Sequence, residues 1–524
     1  MDKRYVFFES KSGDTVPAFA ASSGNAPLHS MVDPKREAQR LVSTITDDTG
    51  FIIFLGLGGG FAPEAALAHC AARVIVIDFN IAELLSAIDY SKLLNNERFS
   101  LLTDPSPQEI KHFILEMYNP VLCGGIKIIP LRTRTDHDPE KFNTAAAIIE
   151  EAIGNVAADY SVQAHFGKRW FSNIIRNIKE AETAQENVLI KKPPQEAAIV
   201  AAGPSLDQQI PALKECKSRQ VFIICSDTAL PALLHHGIEP DTVVSIDCQH
   251  ISYYHFMNCN LKNIPLYLDI ASPPLLRSFS QSPVFFTSGH PLALYISENW
   301  RPLPHLDTSG GNVTYACLSL AENTGAQNIT LFGADFSYVR SRTYARGTYI
   351  YPFFERKQNR FSPMEALFSV FLFRSPFLPP ENSDQKQSCF ETSQLRFYRK
   401  KLEEKAAIME AQITVAKGEG APICLRKEKI ENRKAQITIN NEQGIKIDSV
   451  KFLKQYRDDI NSLPAANGAD YLRRINNKDR KIFITLLPFA AALKHRNPAL
   501  KTCDLIEETK RLCTQEIDHV LSCR

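Results

Sequence analysis

Short apolar runs recur along the first two thirds of the chain and alternate with stretches of helical spacing, the pattern of strands exchanging with helices. FIIFLGLGGGF (51–61) reads as a buried strand entering a glycine-rich turn. Pro63 opens a helix, APEAALAHCAA, and RVIVID (73–78) follows as a second strand. Further strands are predicted at FSLLTD (99–104) and GIKIIPL (125–131). Helical spacing then extends from about Phe142 to Glu186, with interruptions expected near Gly154 and Gly167. Within it, AHFGKRWFSNIIRNIKEA mixes aromatic and basic side chains in the manner of core residues beside snorkelling charges.

A second region opens after the turn-prone KKPPQ (191–195). AAIVAAG (197–203) predicts a strand that runs into PSLDQQIPALKEC, a helix with Pro204 in its first turn. VFIICSD (221–227), PDTVVSID (240–247), IPLYLDI (264–270), PVFFTSG (283–289) and NITLFGAD (328–335) predict more strands, with helices at TALPALLHHG and GNVTYACLSLAENTG. This alternation implies a doubly wound parallel sheet. RFSPMEALFSVFLFRSPFLPPENSDQK (360–386) is Pro-rich and aromatic and suits a lid or docking segment. From about Glu391 the chain reads as charged helix, including SQLRFYRKKLEEKAAIMEAQI as one element.

The fold class expected is therefore α/β: a central Rossmann-like doubly wound sheet, an N-terminal Rossmann-like domain and a C-terminal helical domain. The expected divisions are 1–140 accessory, 141–190 helical linker, 191–350 nucleotide-binding and catalytic, 351–390 lid, and 391–524 helical. At 524 residues the chain exceeds what one core supports, which requires more than one domain.

Composition narrows the function classes. A hydrophobic fraction of 44%, 23% charged residues and a formal charge of +2 describe a globular protein without the basic surface of a nucleic-acid binder. Twelve cysteines occur without a CxxC pair, several inside apolar runs, which fits buried free thiols in a reducing cytoplasm rather than a metal centre. MDKRYVFFESKSGD has no apolar core behind its basic residues, and no run has the length of a membrane span, so neither a secretory signal nor membrane insertion is expected.

Ligands of open parallel sheets sit at the carboxyl ends of the strands. Those ends read AAGPSL, CSDTA, SIDCQ, DTSGGN and GADFSY. Gly203 admits a ligand close to the backbone, Pro204 sets the first helical turn, and Ser205 offers a hydroxyl beside helix amides, a cradle for phosphate. Ser309, Gly310 and Gly311, followed by Asn312, form a second cradle of the same design. Asp227, Asp247 and Asp335 end three strands. Arg340, Arg342 and Arg346 gather in YVRSRTYARGT, which reads either as a grip on a phosphate or a sugar carboxylate or as a solvated charged loop. The N-terminal FLGLGGGF turn with Asp78 is similar to the opening motifs of S-adenosylmethionine-dependent methyltransferases, although a glycine turn after a strand is a common device.

AIVAAGPSLDQQIPALKE, IICSDTALPALLHHGIEPDTVVSID and TSGGNVTYACLSLAENTGAQNITLFGADFSY together resemble the motility-associated-factor (Maf) family of bacterial flagellin glycosyltransferases. Those proteins are similar in turn to the bacterial CMP-sialic-acid sialyltransferases. The resemblance is strong over roughly 190–350. It implies transfer of a nonulosonic acid, of pseudaminic or legionaminic type, from its CMP-activated form to Ser/Thr hydroxyls of flagellin. It places CMP against Gly203, Pro204, Ser205, Ser226, Asp227, Ser309, Gly310, Gly311 and Asp335. Tyr338 and Tyr344, six residues apart, match the tyrosines that stabilise the departing phosphate without a metal. Arg342 and Arg346 would contact phosphate or substrate.

The sialyltransferases carry a histidine base after the tyrosines, whereas no histidine lies between His305 and His495 here. Either Glu355 or Asp247 is then the base, Asp247 being the choice made here, or His250, His255 or His290 reaches in from another strand end. No cofactor is required on this reading. The central blocks also resemble archaeal hydroxymethylpterin pyrophosphokinases, for which Asp227 and Asp247 would hold Mg²⁺ beside ATP. A non-catalytic flagellin-binding chaperone is the third reading.

Overall fold

The computed structural model describes residues 4–20, 24–46, 48–184, 194–261, 263–378, 389–425, 448–466 and 470–523. Most of the turn expected at 191–195 and the end of the Pro-rich segment lie outside these residues. The chain divides into two compact units. The first comprises Met1–Gly167, Leu463–Phe483 and Leu487–Arg511; the second comprises Lys168–Ser462, Ile484–Leu486 and Leu512–Arg524. The residues expected to form a separate helical domain over 391–524 are instead divided between the two units.

The first unit begins with an antiparallel meander of β1 (Tyr5–Glu9), β2 (Thr15–Phe19) and β3 (Ala26–Pro27), which the apolar pattern did not announce. Its main sheet is parallel, with β4 (Thr49–Leu55), β5 (Arg73–Asp78), β6 (Phe99–Thr103) and β7 (Gly125–Pro130) in the order β6-β5-β4-β7. Ile52, Phe54, Val74 and Val76 pack on one face, and Phe51, Ile53, Ile75 and Ile77 on the other. Burial on both faces is why these strands read as continuous apolar runs.

In the second unit β8 (Glu196–Val200), β9 (Phe222–Ser226), β10 (Thr242–Ser245), β11 (Leu266–Asp269), β12 (Pro283–Phe286) and β13 (Asn328–Phe332) fall on the predicted strands. β14 (Tyr338–Val339), β15 (Phe377–Leu378) and β16 (Cys389–Thr392) form a small antiparallel sheet. β17 (Gln412–Val415) completes a seven-stranded parallel sheet in the order β12-β11-β10-β9-β8-β13-β17. The helix Val313–Asn323 buries Ala316, Cys317, Leu318, Leu320 and Ala321 against Ile199, Ile224 and Val244 of this sheet. β17 corrects the single helix expected through Ile413: the helix Ser393–Ile408 ends, and a short edge strand with mostly exposed side chains pairs with β13. An exposed edge strand carries no apolar run to reveal it.

The helix predicted from Phe142 runs unbroken over Pro139–Thr183, its residues through Gly167 belonging to the first unit. Gly167 does not interrupt it. A Cβ there would lie 1.7 Å from the Pro488 carbonyl oxygen, so glycine serves close helix packing.

The glycine turn after β4 is filled by the chain itself. Gly59 N–H donates to His29 Nε2 at 2.8 Å, and the Tyr90 hydroxyl donates to the Gly58 carbonyl at 2.5 Å. A Cβ at Gly58, whose φ is +54°, would meet His29 Nε2 at 2.3 Å. Asp78 is wholly buried, accepts from Leu57 N and Phe79 N at 2.7 Å each, and pairs with Arg134 Nε at 2.9 Å. The carboxylate that would face a cofactor ribose is committed to the fold.

Burial lowers the His29 pKa from 6.5 to about 4, so the folded imidazole stays neutral where the unfolded one takes a proton. Folding stability therefore falls as pH drops from about 6.5 towards 4, by up to about 1.4 kcal/mol per pH unit. Urea denaturation of wild type and His29→Gln across this range should show wild type losing stability relative to the variant on acidification; parallel curves would refute the assignment.

Candidate functional site

The second sheet reverses its winding direction between β8 and β13, the position at which open parallel sheets open a crevice. The predicted turn Gly203–Ser205 lies there. Gly203 N–H donates to the Gly333 carbonyl at 2.8 Å, and Ser205 N–H donates to Asp335 Oδ2 at 2.7 Å. Asp335 thus places a carboxylate on the N-terminus of the helix Leu206–Ser218, a position favoured by the helix dipole. Burial raises the Asp335 pKa despite the Ser205 hydrogen bonds. The loop after β17 covers this turn. Glu419 N–H donates to Ser205 Oγ at 2.9 Å, and Ala421 N–H to the Asp335 carbonyl at 2.9 Å. Ser205 and Asp335 are consequently 2% and 5% exposed, and the helix amide expected to be unpaired is taken by Asp335.

One strand along, the ends of β9 and β10 gather polar side chains. Ser226 caps the turn after β9 by accepting from Ala229 N at 3.3 Å. Asp227 Oδ1 accepts from Thr228 N at 2.6 Å and Thr228 Oγ1 at 3.0 Å; its Oδ2 accepts from Ser245 Oγ at 2.7 Å. His255 Nδ1 stands 3.4 Å from the same Oδ2. Burial pushes the Asp227 carboxyl upward, but His255 and the hydroxyl donors outweigh it and hold the pKa below the usual range. Asp247 accepts from Gln249 N at 2.9 Å, and burial raises its pKa.

Aromatic rings wall this group. The His255 and Tyr349 rings lie 4.5 Å apart, and Tyr349 and Tyr344 6.0 Å apart. Tyr344 approaches Phe371 at 6.4 Å, over which the Arg374 guanidinium sits at 4.0 Å. Burial raises the pKa of both tyrosines, so their phenols remain protonated donors. Sequence reasoning missed Tyr349. Its signal was only a second tyrosine after Tyr344 in TYARGTYIYPFF.

Other predicted residues are placed differently. Tyr338 pairs with Phe390 across β14 and β16 and packs on Phe377 at 6.3 Å. Arg342 pairs with Asp207 at 2.7 Å; Arg346 donates its backbone N–H to Asp207 at 2.9 Å and is exposed. Arg340 pairs with Glu419. Ser309 N–H is held by Asp307 at 3.0 Å, and Ser309 Oγ lies 3.2 Å from the Tyr315 hydroxyl. Cβ atoms at Gly310 and Gly311 would meet Tyr315 at 2.1 Å and Tyr398 at 3.1 Å. Of the candidate bases, Glu355 and His250 are exposed. His290 accepts from Leu292 N at 3.2 Å, and burial lowers its pKa to about 3. His255 alone of the five stands against a buried carboxylate. Among the described residues, no group of three or more His, Cys, Asp or Glu side chains is arranged to hold a metal ion.

The family model for 6-hydroxymethylpterin diphosphokinase MptE-like proteins matches residues 172–341, which include every strand of the second sheet except β17. A Maf glycosyltransferase from Magnetospirillum magneticum AMB-1 shares the fold, with a TM-score of 0.56 at 14% identity over 99% of this chain and 91% of that one. The chain carries an MptE-like domain in a Maf-type fold. An uncharacterized protein of Treponema pallidum (strain Nichols) is 30% identical over 186 residues, 34% of this chain and 88% of that protein, and the chain belongs to its family. Two further uncharacterized Treponema pallidum proteins are 43% and 26% identical, with only 39% and 53% of their lengths covered. Among the described residues, no helix is long and apolar enough to cross a membrane.

The packing of the MptE-like domain at its switch point is directly testable. A Cβ at Gly203 would lie 2.4 Å from the Gly333 carbonyl oxygen and 2.5 Å from Asp335 Oδ2. Gly203→Ala should destabilise the protein by about 1–3 kcal/mol. Gly154→Ala, on an exposed helix position with no atom within 4 Å, should be stabilising by up to about 1 kcal/mol. Denaturant titration of both variants checks the pair, and an unchanged Gly203→Ala would contradict the tight crossing.

Proposed function

We propose that the chain is a glycosyltransferase that moves a nonulosonic acid from a CMP-activated donor to Ser/Thr hydroxyls of flagellin. The observation that carries this reading is the Asp227–His255 pair beside Tyr344 and Tyr349 at the ends of β9 and β10. A buried carboxylate 3.4 Å from Nδ1 orients the imidazole. His255 is then the base that draws the proton from the acceptor hydroxyl, in the role first given to Asp247. The hydroxyl oxygen attacks the anomeric carbon, the bond to the CMP phosphate breaks, and configuration inverts.

The departing phosphate gains charge, and the Tyr344 and Tyr349 phenols donate hydrogen bonds to it. Tyr349 thereby takes the place proposed for Tyr338 in the tyrosine pair. Ser226, Asp247 and the Ser309–Gly311 turn, with Tyr398 against Gly311, surround the nucleotide side. Arg374 supplies positive charge near the tyrosines, suited to the carboxylate of a nonulosonic acid. The helices Ile350–Glu355 and Met364–Leu372 pack Phe354 and Phe368 over this side as a cap. Phe361, Val370 and Phe373 are 93%, 73% and 67% exposed on the same segment, apolar surface of the kind a protein acceptor covers. No cofactor enters this reaction, and work on a cytoplasmic flagellin precursor fits the reading.

The pyrophosphokinase reading draws on the central sequence blocks and on the MptE-like match. It requires Asp227 and Asp247 as Mg²⁺ ligands. Both Asp227 oxygens are already engaged by Thr228, Ser245 and His255, so Asp227 would have to give up these partners to bind a metal, whereas Asp247 has only Oδ1 held, by Gln249 N.

The decisive assay incubates the purified chain with CMP-nonulosonate and flagellin and follows CMP release and flagellin mass. His255→Ala should lower turnover by about 10²- to 10⁴-fold. CMP affinity should stay within about twofold of wild type. Turnover that survives His255→Ala would sink the base assignment; Mg²⁺-dependent ATP binding without CMP affinity would sink the glycosyltransferase reading.

A further inference from the structure

The first unit holds a cavity of about 260 Å³ at the end of its sheet opposite the glycine turn. Arg73, the first residue of β5, lines it together with Arg473 and Arg480. Two carboxylates, Glu116 and Asp470, share the lining, so guanidinium groups are in excess. Glu116 is solvent-exposed and lies 3.6 Å from His112 on its own helix.

Arg73 is the unusual member. Its side chain is only 7% exposed, an expensive position for a permanent cation. Its contacts are a 3.1 Å pair with Asp470 and a long 3.4 Å hydrogen bond to the Glu97 carbonyl, and Nε has no acceptor. A guanidinium offers five donors, so the fold leaves this one under-satisfied. Asp470 is also the residue preceding the helix Tyr471–Arg474, and Arg473 N–H donates to its carbonyl at 2.9 Å. That contact links the carboxylate pairing with Arg73 to the backbone carrying Arg473.

Apart from Asn119, the remaining lining is apolar or weakly polar: Leu115, Met117, Tyr118, Leu122, Cys123 and Leu472. Asn119 spends its side-chain oxygen on Val121 N at 2.9 Å, which leaves the amide nitrogen as a further donor. Planar forked donors on one side and apolar walls on the other suit a molecule with an oxyanion head and a small organic body.

The geometry points to this cavity as a binding site for a small phosphorylated molecule, with Arg473 and Arg480 gripping the phosphate and Arg73 holding the site's charge from below. The site is independent of the Asp227–His255 group and does not rest on the glycosyltransferase reading. It also gives the first unit a ligand site away from its glycine turn.

The test is calorimetric titration of the full chain with inorganic phosphate at constant ionic strength, repeated with Arg473→Gln/Arg480→Gln and with Arg480→Lys. Wild type should bind phosphate saturably, the double variant at least about tenfold more weakly, and Arg480→Lys, which keeps the charge but loses the planar fork, between the two. Both substituted side chains reach solvent, and unfolding midpoints without phosphate establish that the variants are folded. CMP titration is the second arm and should be unchanged in the double variant. Absence of phosphate binding to wild type, equal affinity in the double variant, or parallel loss of phosphate and CMP binding would each overturn the proposal.

Discussion

The organisation of the second unit depends on one crossing, where β8 and β13 lie side by side and the chain changes winding direction. Two backbones pass there closely enough that Gly203 donates to Gly333 at 2.8 Å and no Cβ fits between them. The same crossing brings Asp335 onto the amide of Ser205. A negative group thus sits where an anionic ligand would otherwise meet the helix dipole. With that seat taken, the proposed reaction uses the polar side chains one strand away, at the ends of β9 and β10.

Both units show the same economy with glycine turns. After β4 the chain inserts His29 and Tyr90, and after β8 it inserts Asp335 and the Gly418–Gly420 loop. In each case a motif that resembles a ligand cradle is satisfied internally, because buried backbone N–H groups need an acceptor whether or not a ligand supplies one. The conformational freedom of glycine here serves tight packing. A glycine-rich turn read from sequence therefore locates a strand end more securely than it locates a ligand.

Much of the fold was legible because parallel strands buried on both faces advertise themselves as apolar runs. RVIVID marks β5, and the strand ends at Cys225–Ser226 and Phe332–Gly333 appeared in the pattern. β17 and the β1–β3 meander were hidden, since edge and antiparallel strands lack such runs. Ser226, Asp227, Asp247 and Tyr344 could be singled out from strand-end chemistry and resemblance. The partnership of Asp227 with His255 could not, because 27 intervening residues separate them and only the packing of the helix Ser252–Phe256 brings the imidazole back. The arginines were readable as a charged loop, but not as partners of Asp207 and Glu419, since ion pairing across distant segments leaves no local trace.

The proposed reaction requires the nucleotide phosphate against Tyr344 and Tyr349, with the Asp227–His255 pair intact on the acceptor side. A crystal structure of the full chain with CMP tests this most directly. The CMP phosphate is expected within hydrogen-bonding distance of the two phenols, with the imidazole still against Asp227. CMP density confined to the first unit, or a nucleotide held through a metal on Asp227 and Asp247, would contradict it.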